Sequence, residues 1–141
     1  MYESHDPRSK LAPKAATAPA QPLGFAAAEY VKFGQIEPTE TAPQARTWLG
    51  RGQNFVVAYS AVQPGARFER RGQVDEFMLL LPEAGEGVLI EANGESVAVP
   101  GYSLAIVPPG DSVVTTRQPG VLVRVFSSRN ADLTARAANA G

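Results

Sequence analysis

Along residues 54–127, short apolar runs alternate with turn dipeptides. The run NFVVAYSAVQ, residues 54–63, is rich in β-branched and aromatic side chains and stops at Pro64-Gly65. FMLLLP, residues 77–82, has the length of a strand buried on both faces. GVLIEA and ESVAVP flank Asn93-Gly94, a strong hairpin signal. YSLAIVP runs up to Pro109-Gly110, and SVVTTR and VLVRVF flank Pro119-Gly120. Residues 67–73 alternate poorly and fit either a strand or a loop. The pattern predicts seven or eight short strands with turn signals at intervals of about 8 to 12 residues. That rhythm belongs to an antiparallel sandwich or barrel.

The flanks read differently. Residues 1–24 carry Pro7, Pro13, Pro19 and Pro22 in an alanine-rich stretch. Such a segment buries too little to offset its ordering entropy, so a disordered or extended arm is expected. It is either a loose tail or a strap across a dimer. Residues 25–53 form a lead-in segment, in which PLGFAAAEYVKFG, residues 22–34, fits a short helix or an extended edge and Pro38 and Pro43 then break any long element. Trp48 and Leu49 are its expected core contacts. Residues 128–141 form a tail, with a short helix starting from Asn130 as N-cap.

Composition narrows the function classes. The chain has 141 residues, enough for one domain with its own core. The formal net charge of −1, with both signs interspersed, argues against nucleic acid or an anionic membrane as partner. With no cysteine, thiolate metal sites, disulfides and cysteine nucleophiles are excluded. No apolar run reaches the roughly 20 residues of a membrane span. A cytoplasmic location is the expectation.

Two stretches resemble the motifs of the cupin superfamily. The first is PGARFERRGQVDEFMLLLPEAG, residues 64–85. The family's motif opens with a glycine, then places His-x-His, a glutamate and a strand ending in a glycine turn. Here Gly65 opens it, Glu76 and FMLLL match the glutamate and strand, and the histidine positions hold Arg71 and Gln73. The second stretch is PGYSLAIVPPGDSVV, residues 100–114. Gly101 and Pro108-Pro109-Gly110 match the glycine and Pro-x-Gly of the family, and its histidine position holds Val113. The resemblance implies an all-β, single-domain cupin-type double-stranded β-helix, that is, a jelly-roll barrel of the RmlC-like kind. It also implies a homodimer, with pairing that covers strand edges.

The same resemblance sets expectations for a site. Three imidazoles and a carboxylate would hold a transition metal. The chain's one histidine is His5, in the arm, so no metal and no other cofactor are expected. Glu69, Asp75 and Glu76 offer oxygen ligands, but beside Arg67, Arg70 and Arg71 they read more simply as surface ion pairs. If the motif keeps its inward direction, Arg71, Gln73, Glu76 and Met78 line the barrel mouth, facing Val113 and Thr115. Arg71 then either grips an anionic metabolite or pairs with Glu76 and plugs the site. Two functions follow. One is a metal-independent protein that binds a small anionic ligand or serves as an accessory subunit. The other is a metal-free isomerase, epimerase or lyase acting on a carbohydrate-like or carboxylated substrate. In that enzyme Glu76 is the acid/base and Tyr59 its partner.

Overall fold

The computed structural model describes residues 28–140. The compact unit is Val31–Gly141. The preceding unit, Met1–Tyr30, is described only over residues 28–30, which carry no helix or strand. The arm expected over residues 1–24, and His5 within it, lie outside the described residues.

Ten strands and one short helix make up the described fold. They are β1 (Glu40–Ala42), β2 (Ala45–Arg51), β3 (Phe55–Val62), β4 (Arg67–Gln73), β5 (Phe77–Leu81), β6 (Val88–Ala92), β7 (Glu95–Val99), β8 (Ser103–Val107), β9 (Gly110–Thr116), β10 (Gly120–Ser127) and α1 (Ala131–Thr134). One sheet has the order β1-β2-β3-β10-β5-β8, and the other β4-β9-β6-β7. Every pairing is antiparallel. From β3 onward the chain crosses repeatedly between the sheets, with β6-β7 a hairpin within the second. This is a jelly roll.

Period-two alternation sorts the side chains. β3 buries Val56, Ala58, Ser60 and Val62 and turns Tyr59 outward. β10 buries Leu122, Arg124 and Phe126. Leu49, Leu79, Leu122, Phe126 and Val114 meet between the sheets as a single apolar core. Burying each such side chain contributes about 1.5–3 kcal/mol. The hairpin at Asn93-Gly94 forms because both residues take positive φ, 52° and 78°.

The lead-in segment holds a β-hairpin, β1-β2, at the edge of the six-stranded sheet, while residues 28–34, the described part of the expected helix or edge, carry no helix or strand. Trp48 and Leu49 are buried, on opposite faces of β2. Leu49 enters the core. Trp48 lies under Phe33, beside Tyr59, and its Nε1 donates to the Ile36 carbonyl at 2.9 Å.

Two expectations need correcting. β5 is buried on one face only, because the outer face of its sheet has no covering layer over Met78 and Leu80 among the described residues. The C-terminal helix is only Ala131–Thr134, and Asn130 makes no side-chain capping bond, because its amide is used elsewhere. The helix buries Leu133, and the turns after it bury Ala137. The Ala138 amide donates to the Leu49 carbonyl at 2.7 Å, and Asn139 exchanges two 2.9 Å bonds with the Arg51 backbone.

Candidate functional site

A bulge in β4 decides which side chains enter the barrel. Arg70 pairs with Ser112 and Gln73 with Gly110, so Arg71 and Gly72 together oppose Asp111. Gly72 takes φ +57°, a conformation glycine adopts freely, and its amide donates to Asp111 Oδ1 at 2.7 Å. The extra residue resets the alternation. Phe68, Arg70 and Gln73 therefore turn inward, while Arg71 turns out.

The residues expected at the mouth are thereby redistributed. Arg71 is an exposed side chain, 74% accessible, that pairs with Glu69 rather than Glu76. Gln73 is buried as expected. Met78 and Leu80 share the outer face of β5, and Glu76, just before that strand, is exposed. Val113 and Thr115 also lie on the outer face, since Ser112, Val114 and Thr116 take the inner positions of β9. Tyr59 stacks on Phe33 with ring centroids 4.3 Å apart, outside the barrel. Glu76 and Tyr59 come from strands separated by β10 and do not converge on a cavity.

A polar network occupies the mouth instead. Arg70 Nε donates to Gln73 Oε1 at 2.8 Å, and its terminal nitrogens reach Asp132 Oδ2 at 2.8 Å and Asn130 Oδ1 at 3.3 Å. Gln73 Nε2 donates to Asn130 Oδ1 at 2.7 Å. Ser127 Oγ donates to Asp75. These bonds hold the C-terminal segment across the opening. The Arg70 hydrogen bond holds the Asp132 carboxyl below the usual carboxylate range. The Ser127 hydroxyl does the same for Asp75, against a smaller opposing effect of burial.

Behind this network lies Arg124, in the middle of β10 and only 7% exposed. Its guanidinium carbon sits 4.3 Å from the Phe68 ring centroid and 5.6 Å from that of Phe126. No carboxylate pairs with it among the described residues, and its buried Nε has no hydrogen-bond acceptor there. Burial pushes its pKa down to about 10, with Arg70 adding to that effect and Glu40 opposing it. The group stays charged at neutral pH. Arg124 lines a recess of about 140 Å³ together with Arg67, Arg70, Arg136, Glu40 and Glu69, and with Leu49, Phe68 and Leu133 as apolar walls. Four arginines and two glutamates thus line it. Arg70 is committed to Asp132 and Arg136 to Glu40, whereas Arg67 and Arg124 make no ion pair among the described residues.

Arg124 was not among the sequence-predicted site residues. Its signal was visible: a lone cation at an inward position of an otherwise apolar strand, VLVRVF.

No family profile matches the chain, and no curated protein matches it by sequence. Solved structures do. The chain is similar to KdgF from Halomonas sp., with TM-score 0.60 and 11% identity over 74% of this chain and 98% of that one. It is similar to an RmlC-like cupin from Shewanella frigidimarina NCIMB 400, with TM-score 0.59 and 16% identity over 74% and 96%. It also resembles part of salicylate 1,2-dioxygenase from Pseudoaminobacter salicylatoxidans, with TM-score 0.53 and 16% identity, covering 65% of this chain and 27% of that one. At these identities the likeness shows the fold.

The inner donor set of this barrel does not fit the metal that such folds often hold. Arg70 and Arg124 are cations without lone pairs, and Gln73 offers one amide oxygen already taken by Arg70. Among the described residues, no three His, Asp or Glu side chains come together as a metal-ligating group.

Proposed function

The chain has a cupin-type jelly-roll fold, and from that premise we propose that it is a metal-independent binding protein for a small anionic ligand, held at Arg124. One observation carries the reading: a nearly fully buried arginine, without an ion-pair partner among the described residues, lining a recess with three further arginines and two glutamates. An unpaired buried charge is expensive, and an anion that accepts from it offsets that cost. The aromatic rings on either side supply cation–π attraction, worth about 2 kcal/mol when desolvated, but no hydrogen-bond acceptor. The lack of cysteine suits a reducing cytosol, where we place the protein.

The test is a thermal-shift titration with acetate and with inorganic phosphate. At least one should raise the Tm of the full chain, and Arg124→Met should abolish the rise. A shift that survives in Arg124→Met would move the site elsewhere and overturn the reading.

A second copy of the chain is the proposed partner. On the outer face of the six-stranded sheet, Val123, Leu80 and Leu104 form one cross-strand row, and Val125, Met78 and Ile106 form the next. Leu104 and Ile106 are 56% and 53% exposed. These rows contain no charge, so two copies can meet face to face without like-charge repulsion. Sedimentation should show a dimer, and Leu104→Arg should give a monomer. A wild-type chain that stays monomeric at high concentration contradicts this.

A further inference from the structure

The recess at Arg124 does not stand alone. It shares Glu40, Arg67 and Phe68 with a larger cleft of about 510 Å³, between the β1-β2 hairpin and the start of β4. Beyond those shared residues the cleft is neutral. Small side chains, Ala42, Ala45 and Ala66 together with Gly65, leave its room, and Thr41 and Phe68 line its walls. The Thr47 hydroxyl there is already engaged with Ser60 at 2.7 Å. Phe68 joins the two spaces, since its ring bears on the Arg124 guanidinium and its residue lines both.

Resting on the anion-site reading, we infer that the ligand is a monocarboxylate with an uncharged, largely apolar tail. The carboxylate meets Arg124 in the recess, and the tail lies in the cleft between the sheet edges. Three features select this class. The recess is small, with room for roughly five waters at about 30 Å³ each, which suits a planar head group rather than a bulky one. Glu40 and Glu69 share its wall, and two carboxylates disfavour a dianion more than a monoanion. The cleft falls in the size range of small-molecule pockets, and nothing charged lines it beyond the junction. An apolar tail therefore gains burial there without stranding a charge.

The experiment is a calorimetric titration of the full chain with acetate, butanoate, hexanoate and octanoate, and with inorganic phosphate. Affinity should rise with each methylene, by up to about fourfold at full burial. Amides of Thr41, Ala42 and Ala66 should shift in NMR spectra with octanoate but not with acetate. Ala45→Leu, which narrows the cleft, should lower the ratio of octanoate to acetate affinity at least several-fold. A flat series, with acetate as tight as octanoate, overturns the tail assignment and leaves the anion site standing. Phosphate tighter than every carboxylate does the same. No binding of any anion removes the anion site and the tail assignment together.

Discussion

Arg124 is costly to the fold as a buried cation without an ion-pair partner among the described residues. A guanidinium between Phe68 and Phe126 keeps its stem and faces in apolar contact but loses its hydration. Replacing an unpaired buried charge by an apolar side chain of similar length should stabilise the fold. Arg124→Met is expected to unfold at higher urea in anion-free buffer, by about 1–4 kcal/mol. A variant less stable than wild type would show that the cation is already satisfied by the protein. Arg70, one strand layer away, behaves oppositely. It is bonded to Gln73, Asn130 and Asp132, so Arg70→Met should destabilise by leaving the Gln73 oxygen and the Asp132 carboxylate without their donor. Sequence marks Arg124 as a lone cation in an apolar strand, whereas Arg70 lies in the charged run RFERRGQ. The partners around them leave Arg70 bonded and Arg124 Nε without an acceptor among the described residues.

At the scale of elements, the β4 bulge and the C-terminal segment shape the mouth. Gly72 has open space where a Cβ would stand but a φ of +57°. Gly72→Ala should therefore cost about 1–2 kcal/mol from backbone strain alone, measured by urea unfolding. A neutral result would mean the bulge tolerates an L side chain. The segment itself is held partly by carboxylates whose pKa values are lowered in the fold. A lowered carboxyl contributes stability that is present above its unfolded value near 3.9 and is lost as pH falls through the folded value. Between pH 5 and pH 2 the wild type should thus lose more Tm than Asp75→Asn/Asp132→Asn does. Equal losses would contradict the role given to these two groups. The strands from β3 onward, β4 apart, were legible from apolar runs and turn dipeptides, and the hairpin from Asn93-Gly94, since both depend on local chemistry; β1 and β2 were not read as strands and β4 was left as strand or loop. The bulge was not, because Gly72 is held by Asp111, far along the chain, and a single unpaired residue inverts the direction of Arg71. Val113 and Thr115 were placed inward by motif spacing, whereas the register of β9 sends Ser112 and Val114 in.

For the molecule as a whole, glycine and proline punctuation made the jelly roll legible, although the similar solved structures described above are at most 16% identical. Such residues report turns, and turns set topology. Side-chain chemistry inside the barrel has no such guarantee, and here it has become cationic, with a segment from the C-terminal region laid over the opening. Under the function proposed above, such a barrel would hold an anion at Arg124.

The most direct measurement is the Nε–Hε NMR resonance of Arg124, followed while acetate or inorganic phosphate is added to the full chain. A saturable downfield shift of that one proton, with the Arg71 resonance unmoved, is the expected result. If the Arg124 proton does not respond to either anion while the protein stays folded, the claim that this buried cation is the binding group is contradicted.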